Sequence, residues 1–176
     1  LVGSSMGGYV ALAFARLYAH RIKGLVLADT RAQSDSAEGR AGRFAMIRTA
    51  ETEGNRAIAD LMLSKLLSLR SLQSNPELVQ HLRSMIENTP AASIRSDLRA
   101  MADRLGSTKL IGTMTWPTLV MVGELETATP LSDAQYIAQR ARNARLQVIS
   151  GAGHLPNLEQ PDAFNDTLMS FLKSIS

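Results

Sequence analysis

A serine between two glycines, close to the first residue, has the spacing of a catalytic nucleophile. Residues 3–7 read Gly-Ser-Ser-Met-Gly, a G-x-S-x-G pattern with Ser5 at its centre. Between a strand and a helix, this pattern forms a sharp turn that presents the serine hydroxyl above a parallel sheet. We expect Gly3 and Gly7 to be needed there, because a Cβ on either would clash where strand and helix approach. An ordinary Gly/Ser turn before a core helix would give the same pattern, so the rest of the chain must decide.

An acid and a histidine follow two later strands. Glu126 lies just past the predicted strand 118–122, and His154 lies just past the predicted strand 146–149, in Gly-Ala-Gly-His. The carboxyl ends of parallel strands meet at one edge of a sheet, where open α/β folds place their sites. The chain order serine, acid, histidine is also the order of an α/β-hydrolase triad. The spacing therefore predicts that Ser5, Glu126 and His154 meet at that edge.

These residue types have complementary chemical roles. A neutral histidine at position 154 can remove the Ser5 proton, and a carboxylate at Glu126 can fix the imidazole tautomer and stabilise the imidazolium. The backbone N–H of Met6, at the start of a helix, is the expected oxyanion donor. Asp29 also follows a predicted strand and is the alternative acid.

Short apolar segments alternate with helical patterns, which favours an α/β fold with a parallel sheet and right-handed crossovers. The predicted strands end at residue 2 and span 22–28, 118–122 and 146–149; predicted helices span 10–18 and 130–142 and begin again at Pro161.

The interval between the second and third strands breaks this alternation. It contains four helical patterns, the second running from Ile58 to Leu69, and the third beginning at Asn75 with a capping side chain before Pro76. We expect residues 1–30 to carry the nucleophile turn, residues 31–112 to form a helical cap over the sheet edge, and residues 113–176 to complete the sheet. A separate helical domain is the alternative, although the chain leaves and re-enters one sheet.

Composition excludes several classes of site. The 176 residues include 19 Lys+Arg and 16 Asp+Glu, a net charge of +3 that is too small and scattered to indicate a nucleic-acid partner. The chain has no cysteine, so it has no thiol nucleophile and no disulfide, which suits a cytoplasmic location. No apolar run approaches the roughly 18 residues of a membrane-spanning helix, and we expect no membrane partner.

The chain begins with Leu1, inside a predicted strand. We therefore expect a longer protein whose N-terminal half precedes this residue. The predicted first strand would then present an unpaired edge, so we expect the chain alone to self-associate and to hydrolyse esters poorly.

The sequence resembles the C-terminal two-thirds of an α/β-hydrolase over essentially its whole length. It is most similar to small bacterial hydrolases grouped with 3-oxoadipate enol-lactonases. The resemblance is carried by residues 3–8, 25–30, 123–126, 129–130, 151–154 and 157–161. The family usually has Asp at the position of Glu126, and its strands before the nucleophile, with the loop that donates a second oxyanion N–H, have no counterpart here.

The resemblance implies a serine hydrolase of small carboxylic esters or lactones, which forms an acyl-enzyme and needs no metal or cofactor. Two alternative enzymes would use the same triad: a cofactor-free haloperoxidase or perhydrolase, and a hydrolase of carbon–carbon bonds. A different class remains open as well, a non-catalytic binding module or an inactive fragment that keeps the fold.

Overall fold

A computed structural model describes residues 1–175 of the chain. Its sheet has four parallel strands in the order of the sequence: β1 (Val2–Ser4), β2 (Leu25–Ala28), β3 (Thr118–Gly123) and β4 (Ala144–Ile149). The predicted α/β class with a parallel sheet is confirmed. The second strand begins at Leu25 and not at the predicted residue 22. Ile22 instead caps the 3₁₀ turn Ala19–Arg21, which precedes the strand.

Ten α-helices connect and flank these strands in the part of the chain that the structure describes. They are α1 (Met6–Leu17), α2 (Ala37–Thr52), α3 (Gly54–Leu66), α4 (Leu69–Ser74), α5 (Pro76–Asn88), α6 (Ala91–Asp103), α7 (Thr108–Ile111), α8 (Leu131–Arg140), α9 (Pro156–Glu159) and α10 (Pro161–Ser174). The chain divides into two compact units. The sheet unit comprises residues 1–33 and the chain from Ser107 onward, and the helical unit is Ser34–Gly106.

The sheet unit buries apolar side chains on both faces of its strands. Alternate residues of β2 belong to different clusters: Leu25 and Leu27 pack with α1 and α8, whereas Val26 and Ala28 pack with α10. Every residue of β2 and β3 is buried. This burial on both faces explains why these two strands are continuous apolar runs in the sequence.

β1 lies at one edge of this sheet and β4 at the other. Leu1 and Val2 are about half exposed, at 50% and 48%. Self-association through the β1 edge stays a prediction.

The helical unit contains five helices, one more than the four predicted patterns. The second pattern divides because Leu67 is extended and the Ser68 hydroxyl accepts a hydrogen bond from Ser71 N at 3.2 Å, which caps a new helix. The predicted start at Asn75 is confirmed, since its side chain accepts from Leu78 N at 3.1 Å. The unit lies within the range 31–112 predicted for the cap, and its placement over the sheet edge stays a prediction.

Within the described residues, no helix combines the length and the apolar character that crossing a membrane requires.

Candidate active site

The strand register brings the ends of the four strands to one edge of the sheet. Ser4 pairs with Ala28, so the next residues, Ser5 and Asp29, leave neighbouring strands side by side. β3 and β4 end together at the pair Gly123 and Ile149. The loops that follow them carry Glu126 and His154. Ser5, Glu126 and His154, which the sequence predicts to meet, therefore lie at one edge of the sheet unit, and Asp29 lies beside them.

Ser5 occupies a strained backbone conformation, with φ 50° and ψ −117°. Such a conformation costs roughly 1–3 kcal/mol in a non-glycine residue and persists only where the surroundings enforce it. Ser5 N donates to Ala28 O at 2.8 Å, while Ser5 O accepts from Gly8 N at 3.0 Å and from the Thr30 hydroxyl at 2.8 Å. These three hydrogen bonds fix the turn that presents the Ser5 side chain.

Two glycines around Ser5 were predicted to lie at close contacts, and the structure agrees for one of them. A Cβ on Gly3 would overlap the Gly7 carbonyl, as expected. The prediction for Gly7 is wrong, because a Cβ there would meet no described atom within 4 Å. Gly8 is the second close approach, since its Cβ would lie 2.5 Å from the Thr30 hydroxyl oxygen. Helix α1 therefore packs tightly against Thr30, which follows Asp29 at the end of β2.

Ser5, His154 and Glu126 form one continuous hydrogen-bonded chain. His154 Nε2 lies 2.7 Å from Ser5 Oγ, and His154 Nδ1 is hydrogen-bonded to Glu126 Oε2. A carboxylate can only accept, so Nδ1 carries the proton and Nε2 presents its lone pair to the serine hydroxyl. His154 and Glu126 are buried, at 4% and 8% exposure. This arrangement can deliver a serine alkoxide to a bound electrophile.

Glu126 is held by donors from its own loop. Its Oε1 accepts from Thr129 N at 3.1 Å and from Ala128 N, and its Oε2 lies 3.3 Å from the Thr129 hydroxyl. Burial alone would raise the pKa of Glu126. The hydrogen bond and charge of His154, with the N–H groups of Thr129 and Ala128, outweigh burial and hold this pKa below its usual value. Glu126 is therefore the ionised acid of the group.

Two further acids brace the loop that carries His154. Glu124 Oε2 accepts from Ser150 Oγ at 2.7 Å and from Gly151 N at 2.8 Å. Glu159 Oε1 accepts from Gly153 N at 2.7 Å. These roles were not predicted from the sequence, although Glu124 and Glu159 both lie within segments that carry the family resemblance. A signal was present in the Gly-Ala-Gly stretch, because its backbone N–H groups need acceptors where they are buried and its own residues carry no side chain that could accept.

Gly123 and Arg31 complete the support of the two loops. A Cβ on Gly123 would lie 2.5 Å from Ala152 O, so only glycine lets the His154 loop pass over the end of β3. Arg31 donates to Ala128 O at 2.5 Å and pairs with Asp133 at 3.2 Å, which ties the Glu126 loop to helix α8.

Asp29, the alternative acid, lies next to Glu126 and His154, but its carboxyl group accepts its hydrogen bond from a different residue. Its Oδ1 accepts from Gly123 N at 2.9 Å, whereas the Nδ1 proton of His154 is bound by Glu126. Burial raises the pKa of Asp29 from 3.8 to about 8. The Gly123 N–H opposes this rise, and the neighbouring Glu126 adds to it. The geometry therefore favours Glu126 as the partner of His154.

One oxygen of Asp29, one oxygen of Glu126 and one ring nitrogen of His154 lie within 4.8 Å of one another, a cluster that could hold a metal ion. Ligation at either ring nitrogen would break one of the two hydrogen bonds of His154. A metal site and the Ser5–His154–Glu126 chain are therefore alternative uses of the same atoms.

Met6 is the first residue of α1. Its N–H has no acceptor within the helix, because the first N–H groups of any helix point outward at the N-terminus. It directly follows Ser5, so it is the backbone donor available to a charge that develops on a group bound to the Ser5 oxygen.

Comparison with known proteins identifies the family and the fold of the chain. The sequence profile described as "Alpha/beta hydrolase family" matches residues 1–167. The chain is 30% identical over 176 residues to 3-oxoadipate enol-lactonase 1 of Acinetobacter baylyi, a match that covers 98% of this chain and 63% of the relative.

Two solved structures have the same fold. A thermophilic esterase from Thermogutta terrifontis superimposes with a TM-score of 0.95 at 36% identity, covering 99% of this chain and 64% of the esterase. The enol-lactonase from Burkholderia xenovorans LB400 superimposes with a TM-score of 0.89 at 28% identity, covering 98% of this chain and 64% of that protein. The chain thus spans slightly less than two-thirds of the length of the relatives it matches.

Proposed function

Because this chain belongs to the alpha/beta hydrolase family, we propose that it carries the catalytic residues of a serine hydrolase of small carboxylic esters or lactones. The observation that carries the proposal is the hydrogen-bonded chain from Ser5 Oγ through His154 to Glu126. The enol-lactonases and the esterase among its relatives support the class of bond, and the proposal needs no metal or cofactor.

In the first half of the reaction, the Ser5 proton moves to His154 Nε2 as Oγ attacks the acyl carbon. The Ser5 Oγ–carbon bond forms while the carbonyl π electrons move onto oxygen, and the Met6 N–H stabilises that oxyanion. The carbonyl then re-forms, the bond to the leaving oxygen breaks, and that oxygen takes the proton from His154. The result is an acyl-Ser5 and an alcohol, or, from a lactone, a ring-opened acyl group that carries its own hydroxyl or enol.

In the second half, water replaces the alcohol. His154 Nε2 takes a proton from water as the water oxygen attacks the acyl carbon, and Ser5 Oγ leaves with that proton. Glu126 stays ionised through both halves, and its charge offsets the imidazolium that forms twice in each turnover. The hydrogen bonds from Thr129 and Ala128 keep the carboxylate in that state.

The proposal is tested by labelling the full chain with a fluorophosphonate and locating the adduct by peptide mass spectrometry. We expect one adduct, on Ser5, and none in Ser5→Ala. His154→Ala should lower both labelling and ester turnover by several orders of magnitude, roughly 10⁴-fold or more, because the base is lost. His154 is 4% exposed, so thermal unfolding of the variant is measured alongside.

The neighbouring serine supplies the matched control. Ser4→Ala changes the last residue of β1 and should keep labelling on Ser5. A fluorophosphonate adduct elsewhere, or none at all in a folded chain, would contradict the nucleophile assignment. In the longer protein that the sequence predicts, labelling of Ser5 without turnover of any ester or lactone would reject the bond class and favour the alternative reactions of the same triad.

A further inference from the structure

Asp29 and Glu126 form a pair of buried carboxyl groups at the centre of the site. Asp29 is 1% exposed and Glu126 is 8% exposed. One oxygen of Asp29 lies within 4.8 Å of one oxygen of Glu126, and Glu126 raises the pKa of Asp29 both through its charge and through a side-chain hydrogen bond. Ionised carboxylates are acceptors only, and two like charges this close in a buried setting cannot both persist. One proton must therefore be shared by the pair.

The hydrogen-bond donors around each group decide where that proton resides. Glu126 receives hydrogen bonds from His154, from the Thr129 and Ala128 N–H groups, and from the Thr129 hydroxyl. Asp29 receives one, from Gly123 N to Oδ1. Its other oxygen, Oδ2, is buried and receives no hydrogen bond from any residue that the structure describes. The negative charge is better solvated on Glu126, and Oδ2 is left as the site of the proton.

We propose that Asp29 is a positioning residue: in its protonated form it donates the Oδ2 proton to Glu126 and holds that carboxylate against His154. This inference rests on the proposed function, in which Glu126 orients the base. The Asp29 proton is not transferred in the reaction. Its role is to fix one carboxylate oxygen of Glu126.

The charges on neighbouring elements favour the same assignment. Glu126 lies beyond β3, Glu159 on α9 adds a second negative charge, and His154 beyond β4 contacts Glu126 and Ser5. The nearest cation along the chain, Arg31, pairs with Asp133 and Ala128 O. The carboxyl of Asp29 has a pKa of about 8, raised first by burial and then by Glu126 and Glu159, so it keeps its proton at neutral pH.

A direct test follows the carboxyl carbons of the full chain by ¹³C NMR between pH 4 and pH 9.5. We expect one aspartate signal to titrate with a midpoint near 8, and to be absent from Asp29→Asn. The exposed Asp166 on α10 supplies the matched control, and Asp166→Asn should keep that signal. A midpoint for Asp29 in the ordinary range near 4 would overturn the proposal. This readout does not depend on turnover, so it stands even if the proposed ester chemistry fails.

Kinetics test the positioning role. Asp29→Asn keeps an acceptor for Gly123 N and an N–H donor for Glu126, whereas Asp29→Ala removes both. We expect Asp29→Ala to lower kcat about tenfold further than Asp29→Asn, with little change in KM, when rates are divided by the number of fluorophosphonate-reactive sites. The dependence of wild-type kcat on pH should also change slope near pH 8, where Asp29 loses its proton. The Asp29→Asn variant should lack this change of slope.

Two results would contradict this role. Equal losses in the Asn and Ala variants would mean that the donor has no effect, and a change of slope that persists in Asp29→Asn would assign that titration to another group. If Asp29→Ala does not fold, the comparison of the wild-type and Asn pH profiles still decides the question.

Discussion

Two carboxyl groups leave adjacent strand ends of this sheet, and they differ in almost every property except position. Asp29 directly follows β2, in a left-handed backbone conformation with φ 45°, and one backbone N–H serves it. Glu126 lies three residues beyond β3, on a loop that turns two N–H groups and a hydroxyl toward it. Burial raises the pKa of Asp29 to about 8, whereas the donors hold the pKa of Glu126 below its usual value.

The comparison shows that proximity to the sheet edge does not make a carboxyl group the triad acid. A buried carboxylate stays ionised only where hydrogen bonds and charges replace the water it has lost. The extra methylene of glutamate lets Glu126 reach back from its loop to His154, while the shorter Asp29 is held at the end of its strand. The two acids can therefore take different protonation states a few ångströms apart.

The largest expected difference is between the two isosteric amide variants. We expect Glu126→Gln to lower kcat by roughly 10⁴-fold, because a neutral amide cannot stabilise the imidazolium and favours the wrong imidazole tautomer. Asp29→Asn should cost much less, since it replaces one neutral donor with another. Steady-state hydrolysis of a p-nitrophenyl ester, normalised to labelled Ser5, measures both. The reverse ranking would transfer the acid role to Asp29, and two small losses would question the triad.

The sequence predicts the residues of this site better than it predicts their protonation. The G-x-S-x-G pattern and the positions of Glu126 and His154 after apolar strands are local features, and the parallel sheet follows from the alternation of short strands with helices. The choice between Asp29 and Glu126 stayed open because it depends on which backbone N–H groups turn inward at residues 123–129. That information lies in loop conformation, which residue type specifies weakly.

The same limit explains two of the local errors. Gly7 satisfies the motif but faces open space, while the close contact falls on Gly8 because Thr30 lies against α1. The helical pattern that ends at Leu69 predicts one helix, although the Ser68 side chain caps the start of a new one. In both cases the structure depends on a contact that neither the G-x-S-x-G motif nor the helical spacing of apolar residues contains.

The free energy of unfolding should also depend on pH through Asp29. Above the ordinary aspartate pKa the unfolded chain has released the Asp29 proton, while the folded chain keeps it up to about pH 8. The folded state therefore binds more protons in this window, and raising the pH favours unfolding. We expect the stability of wild type relative to Asp29→Asn to fall between about pH 4 and pH 8, by at most about 1.4 kcal/mol per pH unit.

Urea unfolding at pH 5, 6.5, 8 and 9 gives this difference. Asp166→Asn again serves as the control, because it removes an exposed carboxyl group from α10. A difference between wild type and Asp29→Asn that stays level from pH 5 to pH 9 would mean that Asp29 is already ionised in the folded state, and it would remove the contrast with Glu126.

The smallest effect is expected at Glu124, which lies two residues from Glu126 but at the surface. Hydrogen bonds from Ser150 and Gly151 hold the pKa of Glu124 below its usual value, so its contribution to stability is present at neutral pH and is lost as the pH falls. This direction is opposite to that of Asp29. Glu124→Gln keeps an acceptor for the His154 loop, and solvent screens the lost charge. We expect a small decrease in Tm at pH 7, a smaller one at pH 4, and kcat within about twofold of wild type. Thermal unfolding at the two pH values and p-nitrophenyl ester turnover measure these effects. A loss of kcat comparable to that of Glu126→Gln would mean that bracing the His154 loop matters as much as the acid itself.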